Sequence, residues 1–384
     1  MDFEIEQLTD KDYEDAIDFI NMVFSMHYHP INFPELLPTY YQPTDEHMRC
    51  HYVVKQDGKI RALVGVYPGK LKIGDDSLKI ARIGAVSTHP NTRDRGLMQS
   101  LMNYSMDCIK SEEYDLAYLG GLRHRYSYFG FEKCGYKLIF KINKHNLKHT
   151  DIENKGFKIK EISEDYKELM EELKSFHDKR PIHFERSKED FFKICKNWNH
   201  KLYVGLKKGK PVGYLVANQD ENHIHEIVAE TEDITIELIH KFTLENINYS
   251  ISVDINPIDY SLANRLGNLC EEVEIKNVNN WCIINWESVL NSLLKVKSQY
   301  VPLIDGEIII SIEDYGNIKI NVKDNNVNCE KTKEEADFRL DTKTLMRMFF
   351  GPIKPSLVNK VPKKAQVLES WCPLPLYISM QDFA

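Results

Sequence analysis

Residues 83–98 read Ile-Gly-Ala-Val-Ser-Thr-His-Pro-Asn-Thr-Arg-Asp-Arg-Gly-Leu-Met: a short apolar strand, a basic turn and the start of a helix. A strand that feeds a helix N-terminus gathers unpaired N–H groups at the positive end of the helix dipole, a compact site for an anion. Arg93 and Arg95 add positive charge, and Gly96 lets a phosphate approach the backbone with no side chain between. Leu97, Leu101, Tyr104 and Cys108 recur at helical spacing, and Met98, Met102 and Ile109 widen the stripe. No Lys-Ser/Thr pair follows the glycine, so this is not a P-loop, and G-x-G-x-x-G is absent. The plain alternative is a basic turn before a surface helix.

A chain of 384 residues is long enough for two or three domains. Its 42% hydrophobic and 11% aromatic content supports packed cores. A net charge of -8 without long single-sign runs argues against nucleic acid as the main partner and suits a cationic amine. The acidic N-terminus lacks an apolar signal region. No stretch approaches the roughly 20 apolar residues that span a bilayer, so no membrane span is expected. Eight scattered cysteines without a C-x-x-C pair point to reduced thiols in a cytoplasmic chain and to no metal. His27 and His29 read as loop histidines or a pocket lining rather than zinc ligands.

Along the chain, Leu8–Asp12 resembles a capping-box start to a helix over 12–24. Residues 26–46, rich in Pro, Tyr and His, read as a loop or an aromatic pocket wall. Strands are predicted at Tyr52–Lys55, Ala62–Tyr67, Leu71–Ile73 and Ala81–Ser87, then at Leu116–Leu119 and Leu138–Ile142, in one mixed sheet. Tyr52-Val53 with Gly58-Lys59 recurs as Tyr203-Val204 with Gly209-Lys210, each within a strand–turn–strand pattern. The second copy continues through Ile224–Ala229, but Glu230, Glu232 and Asp233 stand where the first has its basic turn. Further on come a helix at Ser288–Leu294, strands at Ile308–Ile312, Ile318–Val322 and Ala336–Leu340, and a helix over Thr342–Phe350 stopped by Gly351-Pro352.

Arg93-Asp94-Arg95-Gly96-Leu97-Met98 resembles the R-x-x-G-x-G/A loop of the GNAT acyl-CoA N-acyltransferases, which grips the pyrophosphate of coenzyme A. Met98 departs from the pattern's final small residue. The degenerate second copy and the last segment extend the likeness to the enhanced-intracellular-survival (Eis)-like family. That resemblance implies an α+β chain built on mixed α/β sheets. Its units would be a GNAT domain over 1–150, a degenerate GNAT-like domain over 151–285 and a sterol-carrier-like domain over 286–384. The last reads first as a packing module and second as a lipid carrier.

Acetyl transfer to an amine needs a deprotonated amine, a stabilised oxyanion and a protonated leaving thiolate. The resemblance implies that acetyl-CoA is the co-substrate, with pantetheine inserted where the strand Ala85–Thr88 splays from Leu116–Gly120. Its contacts would be Val86, Ser87, Thr88, Arg93, Asp94, Arg95, Gly96, Leu97, Met98 and Gly121. Tyr126-Ser127-Tyr128-Phe129-Gly130-Phe131 resembles the family's Y-x-x-x-G-F, which makes Tyr126 the general acid with Tyr128 in reserve. A second register would put Phe131 in that place, and a phenyl ring has no proton to give. Arg123, His124 and Arg125 would bind phosphate or lower the tyrosine's pKa. For the base, the resemblance implies the C-terminal carboxylate, here that of Ala384; Asp382 through water, or an acid within 26–46, remain alternatives. No cysteine nucleophile is required, so Cys108 and Cys134 read as core residues. The expected activity is N-acetyl transfer to a primary amine of a small molecule or a lysine side chain, in a homo-oligomer, trimer or hexamer. The alternative is a non-catalytic acyl-CoA- or lipid-binding regulatory protein.

Overall fold

The computed structural model describes residues 4–26, 29–148, 150, 152, 156–163 and 166–384; His27 lies outside them. Thr9 opens the first helix, its amide and hydroxyl both donating to Asp12 Oδ2 at 2.9 Å. Helix α1 (Tyr13–Ser25) then buries Ala16, Ile17, Phe19, Ile20 and Val23. The first sheet is built from β1 (His51–Gln56), β2 (Lys59–Ile73), β3 (Asp76–Thr88) and β4 (Leu116–Leu119) in that order. The short strand Glu6–Gln7 lies on the outer edge of β1, and Ile182–Phe184 pairs with the far end of β2. Two predicted strands, Ala62–Tyr67 and Leu71–Ile73, are one continuous β2, because Pro68 and Gly69 stay in register with Ala81 and Ile80.

Asp57 and Gly58 join β1 to β2 with φ of 52° and 70°, the two-residue turn that Asp-Gly favours. Helix α2 (Leu97–Ser111) follows β3 and buries Leu97, Leu101, Met102, Met106 and Ile109. The second sheet takes β5 (Tyr136–Asn143), β6 (Lys201–Lys207), β7 (Lys210–Ala217), β8 (His223–Ala229) and β9 (Ser250–Ile255). Strands β6 and β7 turn at Lys208 and Gly209, with φ of 53° and 80°, so the sequence echo is realised as two equivalent hairpins.

The strand predicted at Leu138–Ile142 does not join the first sheet. It is part of β5, which pairs with β9 and with Glu272–Asn277 in the second sheet. Its expected place beside β4 is taken by β10 (Asn280–Ile283). The two sheets thus exchange strands, because an apolar run records that a strand is buried and not which edge it meets. Gly135 makes the departure at φ 68°; a Cβ there would lie 2.7 Å from Leu376 O and 2.9 Å from Trp281 Nε1.

The last segment forms a four-stranded sheet of β11 (Gly306–Ile312), β12 (Gly316–Lys323), β13 (Asn326–Thr332) and β14 (Phe338–Leu340). Helix α3 (Glu232–Glu245) packs against the second sheet and α4 (Trp286–Ser298) against β13 of the third, while α5 (Thr342–Phe350) reaches the first sheet at Glu132–Lys133 and shares the third sheet's apolar core. Leu71, Ile80, Leu116 and Trp281 share one apolar core with Leu290, Ile308, Phe349 and Trp371, so the third unit is packed onto the first. Among the described residues no helix is long and apolar enough to cross a membrane.

Candidate active site

Strands β3 and β4 run parallel from Ile80↔Leu116 to Ile83↔Leu119 and then part. Beyond that point β3 continues through Gly84–Thr88, held on its other edge by β2, with Gly65↔Gly84 and Leu63↔Ser87 in register. Ala85, at φ 51°, marks the bulge that turns β3 away. The edge facing β4 is therefore a row of unpaired backbone groups, the shape an extended chain adds to. Val86 and Thr88 are half-buried there, and the buried Ser87 hydroxyl has no hydrogen-bond partner among the described residues.

After β3 the turn is tied by Thr92 Oγ1 donating to His89 O at 3.0 Å. Arg93, Asp94, Arg95 and Gly96 are all exposed, and Leu97 is buried. Asp94 and Gly96 have φ of 63° and 78°, so both stand in the left-handed region immediately before α2. A Cβ on Gly96 would meet nothing within 4 Å, which leaves open space over the backbone for an anion. Met98 packs against the apolar cluster under α2, so its bulk points into the core and does not obstruct the turn.

The two arms of the fork each carry one of the expected catalytic groups. On the β4 side Gly121, at φ 103°, lies under Tyr126; a Cβ there would be 3.0 Å from Tyr126 Cε2 and 3.8 Å from its Oη. Asn280 on β10 fixes this end by donating to Gly121 O at 3.0 Å. On the β3 side Gly84 faces the chain's last residue: a Cβ would be 3.0 Å from the Ala384 carbonyl carbon and 3.2 Å from its oxygen. Tyr67 lies against the same glycine, and its hydroxyl meets His51 Nε2 at 2.9 Å. Because His51 Nδ1 bonds Met48 O at 3.2 Å, Nδ1 carries the hydrogen and Nε2 accepts from Tyr67. Burial pulls the His51 pKa down to about 4, so its ring is neutral.

Tyr126 is buried, whereas Tyr128 is 86% exposed. Phe131 is a fully buried core ring. The expected lowering of the Tyr126 pKa is reversed: burial pushes the hydroxyl up, and Arg125 offsets only part of that. Arg123 is committed elsewhere, paired with the buried Glu132 through Oε1 and, at 2.7 Å, Oε2. Asp382 is equally committed, both oxygens accepting from Arg186 at 2.8 Å, which removes it as an alternative base. Cys134 is fully buried and its thiol pushed up by burial, while Cys108 is half-buried.

In the second unit the position of the basic turn is closed. Thr231 Oγ1 accepts from Ile234 N at 3.3 Å, and Arg265 pairs with Asp233 at 2.7 Å. Among the described residues the fold also gathers two groups that sequence spacing did not reveal, His223 with His225 and Asp254, and His177 with Asp178 and His183. Asp254 already takes His223 Nε2 at 2.7 Å, His225 Nδ1 at 3.1 Å and the Lys137 ammonium at 2.5 Å. The ligand atoms of the first group come from neighbouring strands, so no linear motif records them.

Residues 4–134 match the profile of the acetyltransferase (GNAT) domain. No curated protein matches the chain by sequence. Solved structures share its fold from end to end. The GCN5-related N-acetyltransferase from Kribbella flavida is 13% identical with TM-score 0.71, covering 100% of this chain and 98% of its own. A probable N-acyltransferase from Enterococcus faecalis is 14% identical with TM-score 0.72 over 100% of both chains. Eis1 from Mycobacterium abscessus is 14% identical with TM-score 0.69 over 97% of both. Residues 4–134 therefore form an acetyltransferase (GNAT) domain, an acyl-CoA-dependent N-acetyltransferase unit.

Proposed function

We propose that the chain transfers acetyl from acetyl-CoA to a primary amine of a small polyamine or aminoglycoside-like cation, or of a lysine side chain, by direct attack in a ternary complex. The observation that carries this reading is the fork itself, with Tyr126 over Gly121 on one arm and Ala384 against Gly84 on the other. The coenzyme supplies the activated acetyl group and its thiol leaving group. The free edge of Val86–Thr88 suits an extended pantetheine arm and offers backbone N–H groups to an oxyanion. The exposed turn from Arg93 to Met98 suits the pyrophosphate, with Gly96 allowing backbone approach and Arg93 and Arg95 supplying charge.

Tyr126, with its pKa raised by burial, keeps its proton at neutral pH and gives it to the departing thiolate. The Ala384 carboxyl group takes the proton of the attacking amine. The third unit serves as a sterol-carrier-like packing module, since it shares its core with the first. The reading extends to a cytoplasmic homo-oligomer, trimer or hexamer, and the unpaired state of all eight cysteines suits a reducing compartment.

The test is a calorimetric titration with acetyl-CoA, then a panel of multi-amine cations monitored for free thiol. Binding with turnover of at least one amine is expected. Removing Ala384 draws the terminal carboxyl group back to Phe383, about 3.8 Å along the chain, and then lowers kcat by roughly 10²-fold, the scale of a misplaced general base, with KM for acetyl-CoA unchanged. Binding without turnover of any amine points to the non-catalytic acyl-CoA-binding alternative. Absence of binding overturns the reading.

A further inference from the structure

The segment that brings Ala384 to Gly84 is held by charges belonging to the second unit. Arg186 is fully enclosed and grips two carboxylates at once. Its Nε and Nη2 donate to Asp382 at 2.8 Å each, and its Nη1 and Nη2 to Glu226 at 2.9 and 2.8 Å. Arg180 adds a second cation, 3.3 Å from Glu226 Oε2 and 3.4 Å from Ser379 Oγ. Tyr214 Oη completes Glu226 at 2.8 Å. Either side of this cluster, Asn197 Nδ2 donates to Gln381 O at 2.8 Å, and the Gln381 amide meets His200 Nδ1 at 2.8 Å. The catalytic unit reaches the same segment through the hydroxyls of Tyr40 and Tyr118, 3.3 and 2.5 Å from Asp382 O.

Glu226 has a telling position. Strand β8 pairs with β9 only at His223↔Ser252 and Ile224↔Val253, so the second sheet forks too, and Glu226 stands two residues past the last pair. In the first sheet the residue after the last pair is Gly84. Past its fork the repeated unit thus carries a buried carboxylate, and residues 380–382 pack against β8.

We propose that the second unit's fork is a seat for the C-terminal segment, with Arg186 and Asp382 as positioning residues for the Ala384 carboxyl group; this rests on the reading of Ala384 as the base. A guanidinium shared by two buried carboxylates fixes angle as well as distance. Buried ion clusters of this kind specify one arrangement better than they stabilise it. Only Phe383 stands between Asp382 and Ala384, a reach of at most about 7 Å, so fixing the first leaves the second little slack.

The test is Asp382→Asn in the full chain, which keeps shape and an acceptor oxygen but removes the charge. Arg186→Lys is the second variant, because lysine cannot bridge two carboxylates. Turnover is measured with the best amine of the panel, or as thiol release from acetyl-CoA alone, and amide hydrogen exchange is followed over 379–384. In Asp382→Asn, kcat is expected to fall at least about tenfold with KM for acetyl-CoA unchanged. Exchange should rise in 379–384 and stay unchanged in β1–β4. Parental kcat together with faster exchange of the segment overturns the proposal, as does parental exchange in both variants. Removal of Ala384 separates the two readings. If that deletion abolishes turnover while Asp382→Asn keeps parental kcat, the seat fails and the base stands. If the deletion leaves turnover intact, the base fails and the seat with it.

Discussion

Tyr126 and Tyr128 lie in the same short segment, yet one is buried against Gly121 and the other is 86% exposed. The difference gives a clean chemical experiment. Tyr126→Phe keeps the ring and its packing and removes only the hydroxyl, so kcat should drop by about 10²-fold or more with acetyl-CoA affinity retained. Tyr128→Phe should be indistinguishable from the parent under the same saturating acetyl-CoA. Equal turnover in all three proteins would show that water supplies the proton. Sequence pattern located the segment and chemistry chose the tyrosine over the phenylalanine. Only packing against Gly121, whose positive φ opens room for the ring, put the hydroxyl beside the fork.

Among the elements, the turn from β3 into α2 is the one most nearly written in the sequence. Gly96 combines a left-handed φ of 78° with open space above its Cα. Gly96→Val therefore meets two obstacles: a β-branched side chain in the left-handed region, and a methyl pair in the space a pyrophosphate would occupy. Acetyl-CoA affinity should fall at least about tenfold while circular dichroism stays parental; parental affinity in calorimetry would move the coenzyme site elsewhere. The equivalent element of the second unit is closed by Thr231 and carries Glu232 and Asp233 in the first turn of α3. Like charge near a pyrophosphate is repulsive, so one acetyl-CoA per chain is expected, and a stoichiometry of two would contradict this.

For the whole molecule, enclosed histidines set the response to acid. His51 has its pKa pulled from 6.5 to about 4 by burial, and His200 to about 3. The unfolded chain binds the His51 proton near pH 6.5, whereas the folded chain refuses it until about pH 4. Its contribution is thus complete above pH 6.5, is lost progressively toward pH 4 and changes no further below. The loss is about 3 kcal/mol at most for this one group. Urea midpoints should fall across that window, and His51→Gln, which can still donate to Met48 O and accept from Tyr67, should flatten the decline. An equally steep decline in the variant would assign the acid response to other groups. His200 and Glu226 act in the same direction, the charges of Arg180 and Arg186 outweighing the burial that alone would raise Glu226.

Local chemistry determined much of this protein. The basic turn, the Asp57-Gly58 and Lys208-Gly209 hairpins, the capped helices and the repeated strand–turn–strand pattern depend on interactions within a few residues, so the sequence states them directly. Which sheet β5 and β10 would join was not legible, because an apolar run is satisfied by either core. Nor was the seat of the C-terminal segment: Arg186, Glu226 and Asp382 lie far apart in the chain and have no common spacing. They are brought together because buried charges must be paired, and only the packing of three units against one another decides which charges are buried.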